Sequence, residues 1–187
     1  MIEQNEIPTL SEHEGALLDV VRRNEPVTGY QIAQTYGKSP VASFNKSKGQ
    51  IYPMIRRFNK AGLIEGSYVE GDGRGTEVWS CTEKGLAALR HWSRQILDAH
   101  LLLEDPLRTR LMTFDLLTEK ERFDWIMSAK AKVAQKIEEV EAFNSEVDVP
   151  FQQFVHDNAI SSLRMRMDWL DRLLFAHTKA DAGSGKG

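Results

Sequence analysis

The chain has 187 residues, enough for one large domain or two small ones, and its composition, 41% hydrophobic and 27% charged, is that of an ordinary globular protein. It contains no run of about 18 apolar residues, which excludes a membrane-spanning helix. The single cysteine, Cys81, excludes an internal disulfide and a cysteine-rich zinc site, and is interpreted as a small buried side chain rather than a reactive thiol. The acidic N-terminus lacks the layout of a signal peptide, so we expect a soluble, cytoplasmic protein.

The formal net charge of −3 conceals an uneven distribution. Residues 26–64 contain no Asp or Glu, and we call this stretch the acid-free segment. A stretch of this kind creates a local positive field, which favours a polyanionic partner, although a solvated basic face is the alternative. The segment carries six basic side chains: Lys38, Lys46, Lys48, Arg56, Arg57 and Lys60.

Capping boxes predict where the first two helices begin. One runs from Ser11 to Glu14 and the other from Thr28 to Gln31, and the second helix is expected to end at Gly37. A turn is predicted at residues 25–27. A third helix is predicted from near Ser47 to residues 61–62, with a core face formed by Ile51, Met54, Ile55 and Phe58.

The period of the apolar residues then changes from helical to alternating. Residues 64–69 and 78–80 alternate on either side of a glycine-rich turn at residues 70–75, which predicts a β-hairpin. Thr82 is expected to cap a fourth helix that extends through Trp92 and Ile96. Three helices followed by a hairpin and a further helix are the parts of a winged helix-turn-helix domain, here residues 10–100.

The second half of the chain is predicted to be entirely helical. A short helix begins at residues 105–106, a long one covers residues 118–146, about 43 Å at 1.5 Å per residue, and a last one follows Pro150. Their apolar residues alternate by threes and fours, which is typical of an antiparallel coiled-coil pair. We therefore predict a mostly α (α+β) protein with a helical, coiled-coil-like dimerisation domain at residues 101–178 and a disordered tail at 179–187.

The predicted third helix carries groups suited to DNA. Its start offers free backbone amides and Lys48 for phosphate, and the amide of Gln50 can pair with an adenine edge. Arg56 and Arg57 follow one to two turns later for phosphate or guanine. Between the strands, Arg74 lies between two glycines on a thin loop that can enter a minor groove.

Several motifs resemble those of the PadR family of transcriptional regulators. Residues 50–64, QIYPMIRRFNKAGLI, are similar to the family pattern of a small residue, Leu or Ile, Tyr and Pro, followed by Leu-x-x-Leu and Gly-Leu-Ile. Residues 28–32 resemble its Gly-Tyr-Glu/Asp-Ile motif, and residues 78–85 its Tyr-x-Leu-Thr-x-x-Gly motif. Residues 105–118 resemble the start of the helical C-terminal domain of longer members, so the resemblance covers about residues 10–177.

The resemblance implies a sequence-specific DNA-binding regulator, usually a repressor. Gln31 stands where the family has an acid, which favours phosphate at the second helix, and Trp79 and Cys81 replace the common Tyr and Leu. The stretch 37–46 and the long last helices resemble the virulence-activator branch. The motifs, together with four of the basic residues of the acid-free segment, give the full set of expected DNA contacts. These are Tyr30, Gln31, Lys46, Ser47, Lys48, Gln50, Tyr52, Pro53, Arg56, Arg57 and Arg74.

The last two helices predict a homodimer, because their apolar surface exceeds what one small domain can cover, although packing within one subunit is the alternative. A two-fold dimer implies an inverted-repeat operator. The residues expected to pack between subunits are Phe154, Leu163, Trp169, Leu170 and Leu173.

Two further interpretations stay open. Trp92 and Ile96 could line a pocket for a small aromatic effector, as in some family members, or Trp92 could be an ordinary core residue. Alternatively, the winged helix could be a protein-interaction adaptor. We expect no metal, no cofactor and no enzymatic activity, since the five histidines lack metal-ligand spacing and no phosphate-binding loop or nucleophile elbow is present.

Overall fold

A computed structural model describes residues 7–38, 40, 48–70, 75–101 and 105–184, except for the side chains of Lys48 and residues 180–184. The chain divides into two compact units, Met1–Leu101 and Leu102–Gly187. The first contains α1 (Glu12–Asn24), β1 (Val27–Thr28), α2 (Gly29–Lys38), α3 (Lys48–Lys60), β2 (Ile64–Tyr68), β3 (Glu77–Cys81), α4 (Glu83–Ser93) and a 3₁₀ turn (Asp98–Leu101). The second contains α5 (Pro106–Leu111), a 3₁₀ turn (Phe114–Leu116), α6 (Glu119–Glu146) and α7 (Gln152–Ser184).

Capping boxes start the helices where the sequence predicts them. At α1, the backbone N–H of Ser11 donates to the Glu14 carboxylate over 3.0 Å, and the N–H of Glu14 donates to the Ser11 hydroxyl over 3.4 Å. Thr118 and Glu121 form the same reciprocal pair before α6. Each pair satisfies backbone donors that the first helical turn leaves without partners.

The sheet of the first unit has three strands rather than the predicted two. Its order is β1-β3-β2, and β3 pairs antiparallel with both neighbours. Val27, predicted to lie in a turn, instead pairs with Trp79. A strand of two residues is too short to show alternation, which is why the sequence did not reveal it.

The core of the first unit forms where α1, α2, α3 and the sheet meet. Leu17, Leu18 and Val21 of α1 are fully buried beside Ile32 of α2. Ile51, Ile55 and Phe58 of α3 join them, as predicted. Because these three residues occupy one side of α3, its other side is left for solvent or a partner.

Two details of this unit refine the sequence predictions. α4 ends at Ser93 and not beyond Ile96, whose side chain is 83% exposed. Cys81 of β3 packs against the core, and its thiol lies 3.8 Å from the Leu18 carbonyl oxygen. Burial, with a smaller contribution from Glu25, raises the pKa of the Cys81 thiol to about 12.

In the second unit, α6 and α7 pack along each other in antiparallel directions. Lys130 pairs with Asp171, and Arg164 pairs with Glu141 at 3.4 Å, so residue numbers rise along one helix as they fall along its neighbour. The residues that α6 and α7 bury are Ile126, Ala129, Val133, Val140, Ile160 and Leu170. None of the helices in the described part of the chain is long and apolar enough to cross a membrane.

Two predictions for α7 need correction. Leu170, expected between subunits, is fully buried within one chain, where it packs with Ala129 and Val133, so its side chain is not available to a second copy. The helix also continues past Lys179 to Ser184, where a disordered tail was expected. Residues 185–187 lie outside the described residues.

Candidate nucleic-acid interface

One side of α3 is a polar surface directed away from the core. Gly49, Pro53, Arg56 and Lys60 are all exposed and recur at helical spacing, so they form a single stripe opposite Ile51 and its buried neighbours. Among the described residues, no carboxylate pairs with Arg56 or Lys60. Within the described part of the chain, the stripe therefore presents two positive charges that no carboxylate pairs with.

Gln50 and Tyr52 lie on opposite flanks of this stripe. Gln50 is exposed, as a base contact requires. The Tyr52 ring lies over Gly29, the first residue of α2, so closely that a Cβ at position 29 would be 2.9 Å from the ring. This close approach brings the start of α2, with its exposed Tyr30, beside α3.

The side chain of Gln31 is held in a defined orientation at the start of α2. Its amide oxygen accepts hydrogen bonds from the backbone N–H of Thr28 (3.0 Å) and from the Thr28 hydroxyl (2.9 Å). Because the oxygen must face Thr28, the amide nitrogen faces away from it. An acidic residue, which stands at this position in the family motif that residues 28–32 resemble, could accept the same two hydrogen bonds. It would have no N–H group directed away from Thr28.

Arg57 differs from Arg56, because it is paired. Its guanidinium lies 3.3 Å from the carboxylate of Glu14 on α1. Burial works against ionisation of Glu14, but the hydrogen bonds from Ser11 and the charge of Arg57 together lower the pKa of Glu14. The sequence did not indicate this pair, because residues 14 and 57 are far apart in the chain. Lys60 was also absent from the predicted DNA contacts, although it follows Arg56 by four residues and therefore lies on the same face of α3.

Some predicted contacts cannot be placed. Lys46, Ser47 and Arg74 lie outside the described residues, and Lys48 is placed only as the first residue of α3. The structure therefore groups Gln50, Tyr52, Pro53 and Arg56 with Tyr30 and Gln31 on one surface formed by α3 and the start of α2, called the α3 surface below.

Trp92 and Ile96, the predicted effector residues, do not share an element. The Trp92 indole packs over Gly15 of α1, where a Cβ would lie 2.3 Å from the ring. Among the described atoms, the buried indole nitrogen of Trp92 has no hydrogen-bond partner. Trp92 thus lies at the edge of the hydrophobic core, and its indole N–H has no hydrogen-bond acceptor among the described atoms.

Comparison with known proteins identifies the first unit. Residues 17–91 match the profile of the transcriptional regulator PadR-like family. Among curated protein sequences, none matches the chain significantly. The match runs from within α1 into α4 and includes α2 and α3, the two helices that form the α3 surface.

Solved structures extend the similarity to the whole fold. Bacillus subtilis PadR in complex with operator DNA has a TM-score of 0.75, with 19% identity over 89% of this chain and 99% of that one. The same protein with p-coumaric acid gives 0.72, with 16% identity over 88% and 94%. The Vibrio cholerae virulence activator AphA gives 0.64, with 18% identity over 89% and 98%. The predicted fold class, a winged helix followed by a helical region, is confirmed.

Proposed function

We propose that this chain, whose residues 17–91 match the transcriptional regulator PadR-like family, binds operator DNA as a homodimer and represses transcription. The proposal rests on the α3 surface, where Arg56 and Lys60 face outward without a described acidic partner. A cationic helix face of this kind suits the major groove, which is wide enough to admit an α-helix.

Within this proposal, the residues of the α3 surface have different roles. Gln50 reads a base edge, because its exposed amide can both donate and accept. Arg56 and Lys60 contact phosphates on either side of the groove. Tyr30, Gln31 and Tyr52 hold a flanking phosphate through their hydroxyl and amide donors. The further contacts proposed from the sequence are Lys46, Ser47, Lys48, Pro53 and Arg74, together with Arg57, whose guanidinium must leave Glu14 to reach a phosphate.

The homodimer is supported by the apolar surface of the second unit. Phe151 and Phe154 are largely exposed at the start of α7, and Met165 and Phe175 are exposed further along it. Large apolar side chains that are exposed along one helix favour association with a partner that covers them. Leu163, Trp169 and Leu173 are half-buried and border it. A two-fold dimer would place two α3 surfaces on an inverted repeat.

Fluorescence anisotropy with DNA from upstream of the chain's own gene tests the proposal. Binding should prefer that sequence to a scrambled duplex and should weaken steeply with salt, because bound phosphates release counterions. Replacing Arg56 or Lys60 with Gln should reduce the salt slope by about 0.9 for each phosphate that is no longer neutralised, whereas Gln50→Ala should change base preference more than affinity.

The matched control is Lys132→Gln on α6, which removes the same charge from an exposed position outside the α3 surface. This variant should bind like the wild type. If the wild type shows no binding even at low salt, the regulator proposal is wrong and the protein-interaction adaptor takes its place.

A second candidate function, response to a small aromatic ligand, is favoured by the unpartnered indole nitrogen of Trp92. A phenolic or carboxylate oxygen could accept this hydrogen bond, and Bacillus subtilis PadR has been solved with p-coumaric acid. Isothermal titration with p-coumaric acid should show binding that Trp92→Phe weakens. Equal heats for both proteins would exclude Trp92 from such a site.

A further inference from the structure

The ion pair between Glu14 and Arg57 is the one place among the described residues where an acid reaches α3. Glu14 lies on α1, and its carboxylate is 3.3 Å from the Arg57 guanidinium. The acid-free segment supplies no negative charge of its own to this helix. Glu14 therefore offsets part of the positive charge of α3, and no other acid pairs with this helix in the described ranges.

The two partners are held to different degrees. One carboxylate oxygen of Glu14 accepts from both the backbone N–H and the hydroxyl of Ser11, at 3.0 and 2.9 Å, and the other oxygen faces Arg57. The Glu14 side chain is 26% exposed, whereas that of Arg57 is 64% exposed. Glu14 is thus fixed by the capping box, and Arg57 is the partner that can leave.

Arg57 is also close to the surface that DNA would occupy. It lies seven residues after Gln50 and on the same flank of α3, about 10 Å further along the helix axis at 1.5 Å per residue. A phosphate bound beside Arg56 would compete with Glu14 for the Arg57 guanidinium. At the same time, it would be repelled by the Glu14 carboxylate.

We propose that Glu14 restrains DNA affinity by withholding Arg57 from the phosphate backbone. The inference rests on the proposed function, because it presumes that the α3 surface binds DNA. Glu14 touches no DNA in this arrangement and acts only through Arg57. Affinity for non-specific DNA is therefore lower than it would be if every basic side chain of α3 were free to bind phosphate. Contacts with base edges consequently contribute a larger share of the binding free energy.

The test is Glu14→Gln, measured by anisotropy against a mixed-sequence DNA duplex over a range of salt concentrations. The Gln amide oxygen can still accept from Ser11, so the helix cap is retained. Since exposed pairs contribute about 0.2–1 kcal/mol, we expect binding about 1.4- to fivefold tighter per protomer at low salt. The salt slope should steepen by about 0.9 for the additional phosphate that Arg57 neutralises.

Two further variants separate this effect from a general change in charge. Glu12→Gln removes the same charge from the same helix, but Glu12 pairs with His100 and not with α3. The DNA affinity of the Glu12→Gln variant should therefore stay near the wild-type value. In the Glu14→Gln background, Arg57→Gln should abolish the gain.

Each outcome bears on the proposal in a distinct way. If the wild type binds DNA and Glu14→Gln binds equally or more weakly, the restraint is disproved while the proposed function stands. A gain that persists after Arg57→Gln also overturns it, because the effect would not pass through Arg57. If the wild type does not bind at low salt, both the inference and the proposed function are wrong.

Discussion

At the scale of single residues, two glycines illustrate how backbone packing constrains the first unit. A Cβ added to Gly85, at the start of α4, would lie 2.1 Å from the backbone carbonyl oxygen of Leu63. That carbonyl also accepts the N–H of Thr82, so it is not free to move. By contrast, a Cβ at Gly37 in α2 would meet nothing within 4 Å.

We therefore expect Gly85→Ala and Gly37→Ala to have opposite effects on stability. Overpacking against Leu63 should lower the free energy of unfolding by about 1–3 kcal/mol in Gly85→Ala. Gly37→Ala should raise it by about 0.5–1 kcal/mol, because alanine loses less conformational entropy in a helix. Urea denaturation of both variants measures this difference, and similar midpoints would contradict the packing argument.

At the scale of elements, the helix starts were predictable and their tertiary partners were not. The capping boxes at Ser11 and Thr28 depend on residues three positions apart, so the sequence alone reveals them. β1 and the end of α4 at Ser93 were not predicted. Two residues show no period, and apolar residues at 96 and 97 continue a helical spacing that the backbone does not follow.

The start of α2 allows a prediction about affinity that leaves the helix intact. Gln31→Glu would keep both hydrogen bonds from Thr28 but would remove the outward amide donor and add a negative charge. We expect binding to a DNA duplex to weaken by about ten- to 150-fold, since one charged-group hydrogen bond contributes about 1.5–3 kcal/mol. Thermal stability should be unchanged or slightly higher, because a negative charge at the start of a helix is favourable.

The control is Gln34→Glu, which adds the same charge to an exposed position one turn further along α2. Anisotropy should show a smaller loss for this variant. If the two variants weaken binding equally, only the added charge matters, and the orientation of the Gln31 amide has no part in DNA binding.

At the scale of the whole molecule, the apolar residues of the second unit fall into two groups. Some pack between α6 and α7 within one chain, and others remain exposed and are available to a second copy of the chain. Leu170 is completely buried between α6 and α7, whereas Phe154 on the same helix is 71% exposed. Both fit the apolar pattern of α7, and the sequence placed both between subunits. The packing of α6 against α7 decides that only Phe154 is available for a second copy.

Sedimentation velocity and thermal unfolding should therefore separate these residues. Phe154→Ser should shift the proposed dimer towards monomer with little change in the stability of the helix pair, because the side chain lies outside it. Leu170→Ala should leave a cavity and cost about 2–5 kcal/mol of stability. A monomeric wild type would contradict the proposed dimer, and an unchanged sedimentation coefficient for Phe154→Ser would exclude this residue from its interface.

The order of the main helices, the hairpin, the resemblance to a known family and the positive charge of α3 all follow from the sequence. These features depend on spacing and chemistry within a few residues, such as the recurrence of Ile51 and Ile55. The tertiary structure alone decided that β1 joins the sheet, that Glu14 neutralises Arg57 and that Leu170 is buried within one chain. Each of these is a contact between distant segments, which depends on how whole elements pack and leaves no local pattern in the sequence.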